Sequence, residues 1–197
     1  GAAELLEIQV GIDGIAFAES KRGPHMALTA ADIYRALAAY PGGKPNTART
    51  WADVNPALPA IPIQVYGPPA TSGTRDALAE LILLKGCDAV EPGGPALTAR
   101  GLEARRLSCT RVREDGAYID AGENDNLIVQ KLQANPDALG VFGYSYLEEN
   151  RQTVDGVTIN DWRIDGEQLV IPLTGAAHVV ETQVEIAPDR NTQLMGL

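Results

Sequence analysis

Short apolar runs alternate with amphipathic stretches along this chain as far as about residue 150. Residues 7–18, 61–66 and 139–144 form runs that are typical of buried strands. Between these runs, apolar residues recur at helical spacing, which predicts amphipathic helices. Because strands that alternate with helices build sheets with crossover helices, the pattern predicts an α/β fold.

Capping and breaking residues indicate where the helices begin and end. Thr29, with Asp32 three residues later, predicts a capping box that opens a helix to about residue 40. Residues 45–59 are predicted as a loop that carries Trp51. Further helices are predicted over about 72–85, where Gly86 stops the helix, over about 99–112 and over about 124–134. Arg105, Arg106, Arg111 and Arg113 are interpreted as a solvated basic face.

The pattern changes after about residue 150, where strand-like segments follow one another without a predicted helix. These segments are 154–159, 161–164, 168–173 and 178–186, and Asp165-Gly166 is a good hairpin turn. We therefore predict two parts, an α/β lobe over residues 1–159 and a β-rich tail over residues 160–197.

Composition and charge narrow the range of functions. The 197 residues are 45% hydrophobic, which is ordinary for a globular protein, and the formal net charge is −10. That charge disfavours non-specific binding to the nucleic-acid backbone. It also repels small anions at long range, so any anion site must rely on local donors.

Cys87 and Cys109 leave two interpretations open. They can form a disulfide that closes a loop of roughly 20 residues, or they can remain free and buried thiols. A disulfide would indicate an oxidising compartment.

The segment from Thr71 to Arg75 carries the candidate chemistry. It follows a strand and a Gly-Pro-Pro turn, and it opens a helix with two hydroxyls, a glycine and an arginine. Free N–H groups and the helix dipole favour an anion at such a position. Ser72 and Thr74 can add O–H donors, Gly73 permits close approach and Arg75 offers a guanidinium fork. The alternative is that Ser72 or Thr71 is only an N-cap and Arg75 a solvated surface residue.

A second loop-to-helix junction contains Asn124, Asp125 and Asn126. Asn124 or Asp125 can serve as a plain N-cap, or the three polar groups can line the same cleft and orient Arg75. Direct contact of Asp125 with an anion is disfavoured by its charge, so we expect a supporting role.

Catalytic and metal-binding patterns are missing from the sequence. His25 and His178 are far apart, H-E-x-x-H is absent, and no G-x-S-x-G surrounds Ser72. We therefore expect no enzyme activity, no metal site and no cofactor.

Four strings of the chain are informative when taken together. They are WADVNPALP, VYGPPATSGTRDAL, REDGAYIDAGENDNLIVQKL and NPDALGVFGYSYLEEN. In this order they resemble the PstS family of periplasmic phosphate-binding proteins. The resemblance implies one lobe of a type II periplasmic-binding-protein fold over about residues 7–159. It also implies a periplasmic location, a Cys87–Cys109 disulfide, an ABC permease as partner, and phosphate contacts from Ser72, Gly73, Thr74 and Arg75.

Two departures from this family weaken the expected function. Nothing in the chain resembles the family's first lobe, which supplies the other half of the phosphate clamp, so weak binding is expected. The segment from Trp162 to Leu197 resembles part of the N-terminal β-domain of bacterial aminopeptidase N, without catalytic function. The alternative to phosphate binding is therefore a chimeric domain with no ligand function, which could self-associate through exposed strand edges.

Overall fold

The main sheet contains five strands in the order β4-β3-β5-β1-β6. The computed structural model describes residues 14–91, 108–159, 163–165 and 168–170. The strands are β1 Ile15–Ser20, β3 Val65–Gly67, β4 Tyr118–Asp120, β5 Leu139–Gly143 and β6 Val154–Gly156; β2 Ala27–Leu28 and β7 Thr158–Ile159 pair separately. β3 runs parallel to β4 and β5, whereas β1 is antiparallel to β5 and β6. The predicted α/β fold class is confirmed.

Helices cover both faces of this sheet. They are α1 Ala30–Leu37, α2 Trp51–Val54, α3 Gly73–Ala77, α4 Leu84–Val90, α5 Asp125–Ala134 and α6 Tyr144–Glu149, with a 3₁₀ turn at Pro41–Gly43 and a π-helical segment at Leu78–Leu83. Every residue of β1 is buried because alternate side chains enter different layers. Phe17 packs in the layer of α1 and the π segment, and Ala18 in the layer of α5 and α6.

Local signals located several elements correctly. The capping box of Thr29 and Asp32 opens α1, although the helix ends at Leu37 because Ala38 is extended and bridges Val112. Asn124, one of the two residues predicted as alternative N-caps, caps α5. The predicted loop over residues 45–59 is wrong at α2, which a second capping box from Thr50 and Asp53 opens.

The predicted helix over residues 72–85 is longer than expected. α3, the π segment and α4 follow without a break, so one helical run extends from Gly73 to Val90. Gly86 does not stop it, because this glycine is buried where the run meets α1. A Cβ built on Gly86 would lie 2.1 Å from the Ala30 carbonyl oxygen.

Part of the predicted helix over residues 99–112 lies outside the described residues. Residues 108–110 are helical, and Cys109 forms a disulfide with Cys87. The predicted disulfide is therefore present. The interpretation of Arg113 as a solvated residue is wrong, since only 4% of it is exposed. Its guanidinium donates to the Ala48 carbonyl at 2.9 Å and to Asp115 at 2.7 Å.

The strands after residue 150 belong to three different sheets. β6 joins the main sheet beside β1, and β7 pairs with β2. β8 Arg163–Asp165 and β9 Gln168–Val170 form an antiparallel hairpin, as the Asp165-Gly166 pair predicted. The predicted strand over residues 178–186 lies outside the described residues. Within the described ranges, no helix has both the length and the apolar character needed to cross a membrane.

Candidate functional site

One edge of the sheet collects the ends of its parallel strands. β3 ends at Gly67, β4 at Asp120 and β5 at Gly143, and the pairing of Gly67 with Asp120 places the first two side by side. A helix begins shortly after each strand, at Gly73, Asp125 and Tyr144. In open α/β sheets, ligands bind at this edge. The structure thus places both predicted junctions, 71–75 and 124–126, at the same edge.

The first junction is an open helix N-terminus. Ser72 has the extended backbone of an N-cap, but its side chain makes no capping hydrogen bond. Its carbonyl accepts the N–H groups of Arg75 at 3.0 Å and Asp76 at 3.1 Å. Ser72 therefore holds the N-cap position, as one of the two alternatives predicted, but its hydroxyl is not occupied in capping the helix.

The first helical position is accessible from solvent. Gly73 is exposed, and a Cβ built on it would meet nothing within 4 Å. Within the described part of the chain, the backbone N–H groups of Gly73 and Thr74 donate to no acceptor. Backbone donors at the start of a helix are normally satisfied by a cap, by water or by a ligand. This junction can therefore supply donors to an anion.

Arg75 does not extend freely into solvent. It is half-buried, and its Cζ atom lies 3.9 Å from the ring centroid of Tyr118. The Tyr118 hydroxyl donates to the Pro68 carbonyl at 2.7 Å, in the turn that leads to Ser72. Burial raises the pKa of Tyr118, and the positive charge of Arg75 opposes part of that rise. The interpretation of Arg75 as an ordinary solvated residue is wrong.

The second junction is tied to both neighbouring loops. Thr71 donates its hydroxyl to the Glu123 carboxylate at 3.2 Å, which connects the two junctions directly. Burial raises the pKa of Asp125, the backbone N–H of Gly143 opposes that rise, and Glu123 adds to it. The Tyr146 hydroxyl donates to the Asn126 side chain.

Residues 124–126 were expected to orient Arg75, but their side chains have other partners. Asn124 caps its own helix by accepting the Asn126 N–H at 3.0 Å. The Asp125 carboxylate accepts the Gly143 N–H of β5, and the Asn126 side chain accepts the Tyr146 hydroxyl of α6. The Arg75 guanidinium instead lies on the Tyr118 ring of β4. An orienting effect of residues 124–126 on Arg75 stays a prediction.

Three further residues lie at this edge of the sheet without a clear signal in the sequence, namely Gly67, Tyr118 and Glu123. No local pattern marks Tyr118 as a site residue, because its position beside Gly67 depends on the register of β3 and β4. Gly67 was placed in a turn, although its proximity to Tyr118 shows a packing requirement. The acidic character of the second junction was the one signal that could have drawn attention to Glu123.

No cluster of three or more histidine, cysteine or acidic side chains suited to a metal is found within the described residues. His25 does not belong to the anion junction. Its Nδ1 atom lies 3.4 Å from a carboxylate oxygen of Glu19. His178 lies outside the described residues. The junction at Ser72–Arg75 offers hydrogen-bond donors and positive charge, the groups that suit an anion.

Comparison with known proteins gives one family match and several relatives. A family model for a PBP superfamily domain matches residues 1–191. SphX of Synechococcus elongatus is 26% identical over 156 residues, which are 78% of this chain and 37% of SphX. The phosphate-binding protein PstS of Staphylococcus saprophyticus is 29% identical over 114 residues, covering 58% of this chain and 27% of PstS.

Solved structures show a similar fold. A possible phosphate-binding protein from Planctomyces limnophilus matches with a TM-score of 0.52 and 25% identity, over 79% of this chain and 44% of the other. PstS from Borrelia burgdorferi matches with a TM-score of 0.50 and 14% identity, over 78% of this chain and 49% of the other. The chain thus spans less than half the length of each of these proteins.

Proposed function

The chain belongs to the PBP superfamily domain family and has the fold of one lobe of a type II periplasmic binding protein, and we propose from this that it binds inorganic phosphate. The proposed contacts are Ser72, Gly73, Thr74 and Arg75, and the function is binding without chemistry. Two proteins with related sequences or structures are described as phosphate-binding.

One observation carries the proposal for this chain itself. The helix that starts at Gly73 has an N-cap whose hydroxyl makes no capping bond, and the position beside it is open to solvent. Uncapped N–H groups, a free hydroxyl and a guanidinium held close by on Tyr118 are donors that suit a tetrahedral oxyanion.

We expect weak affinity and little selectivity between phosphate and sulfate. Gly73 is exposed, so water competes with the ligand on that side. Phosphate carries a proton at neutral pH and sulfate does not. A buried acceptor in the site would therefore bind the phosphate proton but would be left unpaired beside sulfate, which selects phosphate. Glu123, the acid bonded to Thr71, is exposed and therefore a poor acceptor for this purpose.

Isothermal titration calorimetry with phosphate and with sulfate tests this function. Arg75→Gln should weaken phosphate binding about tenfold or more, because it removes a charged hydrogen-bond donor. Arg111→Gln is the matched control, since Arg111 is an exposed arginine over another tyrosine, Tyr40. Tight binding of phosphate alone would contradict the weak, unselective site, and no binding at millimolar phosphate would contradict the function.

The cellular role follows from the family as a further proposal. We propose that the chain acts in ABC-type phosphate uptake, with a membrane permease as partner, in the periplasm or outside the cell. The Cys87–Cys109 disulfide supports an oxidising compartment. Thiol labelling of the protein recovered from cells would detect free cysteines if this location were wrong.

The alternative function is a chimeric domain without a ligand, and residues 160–197 give it only partial support. The β8–β9 hairpin forms a two-stranded sheet of its own, as a separate segment would. The family match, however, continues through the predicted boundary to residue 191. A different origin for residues 160–197, resembling aminopeptidase N, stays a prediction, as does a homodimer, which sedimentation velocity would detect.

A further inference from the structure

Tyr118 contacts Arg75 of the proposed anion site and the turn that precedes the site. Its side chain is almost completely buried, with 8% of the residue exposed. The ring face carries the Arg75 guanidinium at 3.9 Å, and the hydroxyl donates to the Pro68 carbonyl at 2.7 Å. One side chain therefore connects the turn before Ser72 to the arginine after it.

Gly67 makes this placement of Tyr118 possible. The parallel register pairs Tyr118 with Val65 and places its ring against the end of β3. A Cβ on Gly67 would lie 2.3 Å from the Tyr118 hydroxyl oxygen, which is closer than any side chain permits. The ring thus occupies space that only glycine leaves free, so its position is closely determined.

A fixed ring can determine where a flexible arginine lies. A free arginine side chain populates many rotamers, and ordering it when a ligand binds reduces affinity. A guanidinium that already rests on an aromatic face has lost much of that freedom before the ligand arrives. The contact is geometric, with the Arg75 Cζ 3.9 Å from the ring centroid, and the charge of Arg75 there lowers the pKa of Tyr118 against the rise that burial causes.

We propose that Tyr118 is a positioning residue that holds the Arg75 guanidinium beside Ser72, Gly73 and Thr74 for an oxyanion. This role rests on the proposed phosphate function and adds a determinant of its affinity. Tyr118 acts through Arg75 and needs no contact with the ligand.

Three variants of the full chain test the role by calorimetry with inorganic phosphate. Tyr118→Leu removes the aromatic face and should raise the Kd about three- to tenfold. Tyr118→Phe keeps the face and loses only the bond to Pro68, so it should retain most of the affinity. Tyr40→Leu is the matched control, because it removes the ring from the distant Arg111 pair, and its Kd should equal that of the wild type.

A spectroscopic measurement reports the contact itself. In the proton NMR spectrum, the ring current of Tyr118 should shift the Arg75 side-chain resonances upfield in the wild type and in Tyr118→Phe. The shift should be lost in Tyr118→Leu. An absent shift in the wild type would overturn the proposal.

If Tyr118→Leu does not fold, titration of the Tyr118 hydroxyl in the folded protein tests the same contact. The ultraviolet difference between the wild type and Tyr118→Phe isolates the ionisation of this phenol. Its pKa should rise in Arg75→Gln, because the charge that stabilises the phenolate is gone. An unchanged pKa would overturn the proposal.

The outcomes separate this inference from the function on which it rests. If the wild type binds phosphate and a folded Tyr118→Leu binds it equally well, the positioning role is wrong and the phosphate function stands. If the wild type binds no phosphate, the function fails and the positioning role fails with it.

Discussion

Glu19 is a buried carboxylate at the far edge of the sheet from the anion site. Only 2% of it is exposed, and it accepts the backbone N–H of His25 at 3.0 Å. His25 adopts a positive φ of 52°, which turns the chain back toward the carboxylate. Burial raises the pKa of Glu19 above its ordinary value, while hydrogen bonds from the backbone and the nearby His25 oppose the rise. The net effect makes this residue a source of pH-dependent stability.

The stability contributed by Glu19 should fall as the pH rises above 4.5, its ordinary pKa. The folded state holds this proton more tightly than the unfolded state, so deprotonation favours unfolding. Urea unfolding between pH 4 and 7 should therefore show a smaller loss of stability with rising pH in Glu19→Gln. Glu149→Gln, an exposed carboxylate on α6, is the control and should follow the wild type. Parallel pH profiles for Glu19→Gln and the wild type would contradict the assignment.

The helical run from Gly73 to Val90 is the element that connects the site to the core. Its N-terminus supplies the proposed donors, its middle buries Leu78, Ile82 and Leu83, and its end packs on α1. Glycine lowers helix propensity by about 1 kcal/mol relative to alanine, so Gly86 is unfavourable locally. It is nevertheless accommodated because the helix backbones approach each other closely there.

Two glycine-to-alanine changes in this run should differ sharply in their effect on stability. Gly86→Ala should lower the free energy of unfolding by about 1–3 kcal/mol, because the new Cβ would overlap the Ala30 carbonyl. Gly73→Ala should change stability by less than about 0.5 kcal/mol, since its Cβ would meet open space. Chemical denaturation measures both. A Gly86→Ala protein as stable as the wild type would mean that the two helices do not approach this closely.

At the scale of the whole molecule, the disulfide joins two regions that are distant in sequence. Cys87 belongs to α4, and Cys109 lies 22 positions later in a helical segment before β4. Both are buried in the layer of the core that contains α1. The disulfide therefore joins α4 to the segment that leads into β4, the strand that carries Tyr118.

Replacing both cysteines by alanine should lower the free energy of unfolding by about 3 kcal/mol, because the unfolded chain regains the freedom of a closed loop. Denaturant unfolding measures the difference, and the wild type in strong reductant should show a similar loss. Each single variant leaves an unpaired thiol and is less informative. Equal stability of the double variant and the oxidised wild type would show that the disulfide does not constrain the unfolded chain.

The sequence by itself determined the features that depend on neighbouring residues. Capping residues placed the starts of α1 and α5, periodicity gave the α/β class, and the Ser72–Arg75 junction was recognised from a turn followed by a helix start. These signals act within a few positions, where propensity and capping operate. Residues 124–126 follow the same rule. An N-cap at Asn124 or Asp125 was among the predicted alternatives, whereas the contacts of these residues with β5 and α6 were not predicted.

The tertiary structure alone decided which distant residues meet. Arg113 is buried because it reaches the Ala36 carbonyl 77 positions away, and Tyr118 reaches the Pro68 carbonyl 50 positions away. Such contacts depend on strand register and on how closely elements pack, and no local pattern encodes either one. The junction at Ser72 was therefore visible in the sequence, but the aromatic support beneath Arg75 appeared only when β3 and β4 were paired.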